Sequence, residues 1–190
     1  HCYFETNEYK QALKYYRRAL DITSDIHESW YGIGLIFEKK EKWLEAIHFF
    51  NKAYQLDHTI PKYVRALAHT EYQLGNHVTS LNYFEQAISI DPKEVNTWLC
   101  SSYIHYELGD LDKASKIMLD ALEELPEEAE LYYRLCCYLV KEGNLKEAFI
   151  YLENALILNF DMHTVVFEFF QDLEIQKAMM RVIDQFRKDD

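Results

Sequence analysis

The stretch HESWYGIGLIFEKKEKWLEAIHFFNKAYQLDHTI, residues 27–60, decides the fold. It opens with Trp30, Ile33-Gly34 and Phe37, and continues with Ala46, Phe50 and Ala53. Small residues on one helical face, each beside a large apolar one, are what two closely approaching helices require. The pattern recurs. Ala19, Ala53, Ala87, Ala121 and Ala155 stand 34 residues apart. Gly75, Gly109 and Gly143 keep that interval, as do Pro92 and Pro126, and Trp30 and Trp98 lie two periods apart. A fixed period of this length marks an array of like units, each burying its apolar face against its neighbours.

The order Trp-x2-Ile-Gly-x2-Phe…Ala-x3-Phe in residues 30–50 resembles the tetratricopeptide repeat, a helix–turn–helix unit of 34 residues. His58 stands where that family has its closing Pro. The resemblance covers nearly the whole chain and implies an all-α, right-handed superhelical solenoid of antiparallel helix pairs. The expected division is a truncated first repeat at 1–26, full repeats at 27–60, 61–94, 95–128 and 129–162, and a degenerate repeat with a capping helix at 163–190.

Within this frame the units vary. Only the tail of a first helix remains before Asn7, which is expected to fill the turn slot that Gly75, Gly109 and Gly143 fill later. Because the chain begins at His1 inside a repeat, further sequence is expected upstream. The second unit has Glu41-Lys42 at its turn, and Gly32 and Gly34 inside a helix, where each costs about 1 kcal/mol relative to Ala. Pro61 suits the first position of a helix, and Asn76 is expected to cap the next one. Ser101, Ser102 and His105 depart from the repeat pattern. In the sixth unit Val166, Phe169 and Leu173 are expected on a first helix. A capping helix is expected over 174–188, with Ile175, Met179, Val182 and Phe186 on its apolar face. Its polar face would carry Glu174, Lys177, Arg181, Asp184 and Lys188.

Hydrophobic residues make up 49% of the chain, enough for a continuous core between stacked helices. The formal net charge is −12, from 20 Lys+Arg against 32 Asp+Glu. Asp120, Glu123, Glu124, Glu127, Glu128 and Glu130 form a run without a basic residue. That balance argues against nucleic acid as a partner. No apolar run reaches the length of a membrane span, so no membrane insertion is expected. The 4 cysteines, Cys2, Cys100, Cys136 and Cys137, form no metal-binding or redox spacing. Free thiols point to a reducing, cytoplasmic location. Nucleotide-binding, hydrolase and metalloprotease motifs are missing. The 8 histidines lack ligand spacing. Neither catalysis nor a cofactor or metal is expected.

The resemblance implies a non-catalytic scaffold that binds a peptide or protein segment in a concave groove lined by the first helices. The predicted wall carries Tyr31, Lys62, Arg65, His69, Tyr72, Asn96, Tyr103, Tyr106, Tyr133 and Arg134. Glu28, Leu35, Leu99, Cys100, Glu130, Cys137, Phe167 and Gln171 lie on the same projection. Tyr and Arg are common anchors at interfaces. Some family members grip a C-terminal carboxylate with Lys, Asn and Arg. The matching positions are Arg65, His69, Cys100, Glu130 and Arg134, so only the two Arg keep the charge. An acidic group or a terminal carboxylate on the partner is the corresponding expectation. The alternative reading is a structural or regulatory arm of a larger protein whose output domain lies outside this sequence.

Overall fold

Each left-handed residue in the structure sits at the same point of the repeat. The computed structural model describes the backbone of residues 2–170 and 172–187, with side chains from Glu8 onward. Gln171, Lys188 and the Cys2 thiol lie outside those limits. Gly75, Gly109 and Gly143 have φ of +81°, +79° and +85°. Glu41, 34 residues before Gly75, has φ of +55° and is the one non-glycine with positive φ among the described residues. After each of the four, the next backbone N–H reaches back five residues: Lys42 to Phe37, Asn76 to Glu71, Asp110 to His105 and Asn144 to Leu139, at 2.9–3.0 Å. The left-handed residue itself donates to the carbonyl three residues before it. This motif satisfies the last carbonyls of one helix and turns the chain into the next.

An L side chain in that conformation costs about 1–2 kcal/mol. Glycine also loses more freedom on folding, which offsets part of the relief. Glu41→Gly is therefore expected to stabilise the chain by about 0.5–1 kcal/mol, read as a higher denaturation midpoint. A lower midpoint would show that Glu41 bears no conformational cost there.

The turns join helices into two compact units, residues 1–91 and 92–190. The first contains α1 (Cys2–Ile22), α2 (His27–Glu38), α3 (Trp43–Leu56), α4 (Pro61–Gln73) and α5 (His77–Ile90). Successive helices from α1 to α5 pack on one another. Ala46, Phe50 and Leu67 form the centre of a cluster here, flanked by Tyr31, Leu35 and Tyr54. The second unit contains α6 (Val95–Glu107), α7 (Leu111–Glu124), α8 (Ala129–Glu142) and α9 (Leu145–Leu158). A 3₁₀ turn (Phe160–Thr164), the single-turn α10 (Val165–Glu168) and α11 (Leu173–Phe186) follow. Here α6 to α9 pack in succession, α10 lies on α8, and α11 lies on α9.

Ala53, Ala87, Ala121 and Ala155 are buried to within 1% exposure, and Ala19 is half-buried. A second small-residue series, Gly34, Ala68, Ser102 and Cys136, is buried too. A Cβ on Gly34 would lie 2.4 Å from the Phe50 ring, so that glycine leaves room for an aromatic residue. Gly32 has the same explanation: its missing Cβ would meet the Tyr16 ring of α1 at 2.4 Å. The start of several first helices is pinned by a ring. Trp30 Nε1 donates to Ser24 O at 2.8 Å, Trp98 Nε1 to Pro92 O at 2.9 Å, and the Tyr132 hydroxyl to Pro126 O at 3.0 Å. Each reaches six residues back. A ring packed against the helices and a polar tip on the turn are thus combined in one residue.

Several expectations are corrected. The turn at Asn7 is absent, because α1 runs unbroken from Cys2 to Ile22. Asn costs only a fraction of a kcal/mol within a helix, whereas stopping there would leave carbonyls unsatisfied without a glycine turn. Asn76 stands at the N-cap of α5 but accepts no N–H with its side chain. Its Nδ2 donates to Glu71 Oε2 at 2.7 Å instead. The sixth unit lacks a full first helix: a 3₁₀ turn and one helical turn replace it, and Leu173 is 67% exposed. The last helix starts at Leu173, not Glu174, where Asp172 Oδ1 accepts from the N–H groups of Glu174 and Ile175. It buries Met179 and Ile183 most deeply, with Ile175, Val182 and Phe186 half-buried beside them.

Candidate functional site

Lys62, Arg65 and His69 fall on one face of α4, at the i, i+3, i+7 spacing of neighbours on a helix. Lys62 is exposed, with Nζ 5.3 Å from the Tyr31 ring centroid and 5.4 Å from that of Tyr63. Tyr31 is half-buried. Its ring packs at 5.0 Å on Tyr63 and 5.6 Å on Phe50, and burial raises its phenol pKa. Arg65 faces Asp91 at 3.9 Å. His69 Nδ1 lies 2.9 Å from Glu38 Oε1, and the Trp43 ring meets its imidazole edge-on at 5.8 Å. Tyr72 packs on His77 at 5.7 Å. Arg65 and His69 therefore already have acidic neighbours from other segments of this unit. Lys62 is presented outward over aromatic faces.

In the second unit the wall is aromatic. Tyr103 is 36% exposed and stacks on Tyr106 at 6.0 Å. Tyr106 stacks in turn on Tyr138 of α8 at 5.4 Å. Tyr138 is fully buried; its hydroxyl lies 3.1 Å from Ser102 Oγ, and burial raises its pKa. Ser102, a departure from the repeat pattern, is thus the polar partner that allows a tyrosine to be buried there. Arg134 lies near the same phenol, where its charge partly opposes the rise in pKa, and places its guanidinium 4.8 Å above the Phe169 ring. Phe169 meets Tyr106 edge-on at 5.8 Å and Tyr138 at 6.3 Å. A cleft of ≈ 120 Å³ opens beside this cluster, lined by Glu130, Arg134, Cys137, Glu168 and Phe169 among others. Asn96 is exposed at the start of α6 and donates to Glu94 Oε1 at 3.3 Å.

Tyr133 is 1% exposed and its hydroxyl donates to Asn159 O at 2.8 Å, so it is packed chiefly in the core, at the edge of that cleft. Leu99 and Cys137 are likewise buried. Tyr138 and Phe169 complete the aromatic cluster without having been assigned to the wall. Ser102 and the broken sixth repeat are the sequence signals that accompany them. Burial raises the Cys136 thiol to about 12 and pushes Cys137 up as well, which makes both poor nucleophiles. Among the described residues no group of three His, Cys, Asp or Glu is placed to hold a metal ion, and no helix is long and apolar enough to cross a membrane.

Two tetratricopeptide-repeat family models match the chain, one over residues 3–59 and one over 71–136. The chain belongs to the tetratricopeptide-repeat family. Tetratricopeptide repeats build scaffolds for protein–protein interaction. Human Protein O-mannosyl-transferase TMTC3 is 26% identical over 163 residues, covering 83% of this chain and 18% of the relative. The UDP-N-acetylglucosamine--peptide N-acetylglucosaminyltransferase of Caenorhabditis elegans is 31% identical over 87 residues, covering 46% of this chain and 8% of the relative. The tetratricopeptide-repeat chain thus spans only a small part of these multi-domain proteins. Among solved structures, MamA superposes with a TM-score of 0.70 at 17% identity, covering 81% of this chain and 84% of that one. YrrB, described as a TPR protein with an unusual peptide-binding site, superposes with a TM-score of 0.67 at 22% identity, covering 86% and 84%. Both likenesses establish the shared tetratricopeptide-repeat fold.

Proposed function

We propose that this chain is a non-catalytic scaffold that binds a peptide or protein segment on the exposed faces of its first helices. In the first unit the contacts would come from Tyr31, Lys62, Arg65, His69 and Tyr72. In the second they would come from Asn96, Tyr103, Tyr106 and Arg134. The observation that carries this reading is the aromatic run Tyr103–Tyr106–Tyr138 with Arg134 beside it, open to solvent at Tyr103. Stacked tyrosines give contact area at low entropy cost, and Arg adds charge-assisted hydrogen bonds. In a chain of net charge −12 such an Arg suits a partner with an acidic side chain or a terminal carboxylate. A reducing, cytoplasmic setting accords with the free thiols of Cys100, Cys136 and Cys137. A second reading is a regulatory arm of a larger protein. It is favoured by the small share of each curated relative that the chain covers.

The test is affinity capture with the wild type and Tyr103→Ala/Arg134→Glu side by side. Loss of a hydrogen-bonded charge at an interface costs on the order of 2–5 kcal/mol, enough to erase micromolar binding. The variant is expected to lose its partners while helical content and melting point stay close to wild type. Recovery of the same partners by the variant would place binding elsewhere on the chain.

A further inference from the structure

The second unit holds one of its own residues where a ligand side chain would go. Phe169 is the residue that the repeat pattern places inside a first helix, yet α10 ends one residue earlier, at Glu168. Its ring lies under the Arg134 guanidinium and against Tyr106, both assigned above to partner binding, and against the buried Tyr138. Glu168 lines the same ≈ 120 Å³ cleft as Arg134. An acidic residue followed by an aromatic one therefore sits at the site in cis, and that pair is what an Arg beside an aromatic run would recognise in trans.

The flanking residues differ from Phe169 in burial. Val166 is fully buried, and Phe170 is 3% exposed with Lys141 Nζ 5.4 Å from its ring. Phe169 is only half-buried. Val166 and Phe170 thus anchor the segment, while the Phe169 ring between them is held less deeply.

Building on the proposed peptide-binding function, we propose that Glu168-Phe169 is a built-in pseudo-ligand. It keeps the α6–α8 face closed to weak ligands and is displaced by a peptide segment that carries an acidic residue followed by an aromatic one. Because the competing side chain is tethered, its effective concentration is high, and the apparent affinity of any outside ligand is reduced by the fraction of time the site is filled.

The probe is a fluorescent synthetic peptide with the sequence of residues 163–170, titrated against the whole chain by polarisation. Phe169→Ala is expected to bind it at least about tenfold more tightly than wild type. Arg134→Ala combined with Phe169→Ala should abolish the gain, and a peptide with Ala at the position of Phe169 should not bind. Melting curves accompany each titration. If Phe169→Ala melts early, Phe169→Leu keeps apolar volume but removes the ring face under Arg134, and should still gain at least about threefold. Equal affinity of wild type and both variants would overturn the pseudo-ligand while leaving the binding face intact. Absence of binding to every variant would overturn it also, and the capture experiment above then decides separately whether the face binds partners at all.

Discussion

Phe50→Ala is expected to lower the unfolding free energy by about 4 kcal/mol, Gly34→Leu by about 2 kcal/mol, and the double variant by clearly less than their sum. Phe50 is fully buried, and its removal leaves a cavity in the centre of the first unit. A side chain at Gly34 collides with Phe50: the added Cβ alone would lie 2.4 Å from Cε1 and 2.5 Å from Cδ1. The ring cannot simply step aside, because Tyr31 packs on it at 5.6 Å. Overpacking of this kind costs about 1–3 kcal/mol, offset by somewhat under about 1 kcal/mol of helix propensity gained on losing the glycine. In the double variant the leucine introduced in place of Gly34 grows into the space that Phe50 vacates, so the two changes couple. Two of the other units show the same exchange along the repeat, whereas the third has Ala68 and Phe84 at these positions. Where the first helix carries Ser102, the second carries Met118, 3.7 Å from the serine Oγ; where it carries Cys136, the second carries Leu152. Denaturation of the two single variants and the double closes the cycle. Additivity to within about 0.5 kcal/mol would mean that Gly34 and Phe50 do not share one space.

How much of this was legible beforehand depends on what dictates each feature. Backbone geometry dictated the turns, so Gly75, Gly109 and Gly143 stand at a fixed interval, and even Glu41 could be located by counting back from them. Close helix contact dictated the alanines. Tertiary neighbours dictated the rest. Gly32 made no sense within its own helix until the Tyr16 ring was placed on it. Leu173 and Phe169 fit the periodicity of a helix, but the chain between α9 and α11 folds as a 3₁₀ turn and one helical turn, and both residues leave the expected face.

The candidate site divides in the same way. Projection of a helix selects a face but not what packs there. It grouped Tyr133 with Tyr103 and Tyr106, although Tyr133 is covered and hydrogen-bonded to the carbonyl of Asn159, 26 residues away. It likewise showed Arg65 as a cation and His69 as a polar ring without showing Asp91 and Glu38, which come from other segments of the chain. Charge and aromatic content were readable residue by residue; the pairing of those charges was not.

The buried phenols make stability fall at high pH. Tyr63 and Tyr133 are 0% and 1% exposed, and burial raises both pKa values to about 12. The Tyr63 hydroxyl lies 2.6 Å from His27 Nδ1, and the Tyr133 hydroxyl donates to Asn159 O at 2.8 Å. An unfolded tyrosine titrates near about 10. Below that pH both states hold the proton and stability does not depend on it. Between about 10 and 12 the unfolded chain loses the proton while the folded chain keeps it. The unfolded state then binds fewer protons, so unfolding becomes easier as pH rises, by up to about 1.4 kcal/mol per pH unit for each phenol. Urea denaturation is expected to show little change from about pH 7 to 9 and a fall of about 2 kcal/mol per buried tyrosine by the end of that window. Tyr133→Phe separates this term from the other tyrosines. At neutral pH it should cost about 1 kcal/mol through the lost hydrogen bond. Above about pH 11 that deficit should vanish or reverse, because Phe has no proton to lose. Stability curves for wild type and Tyr133→Phe that run parallel from about pH 7 to 11.5 would show that the Tyr133 phenol ionises as easily in the folded chain as in the unfolded one.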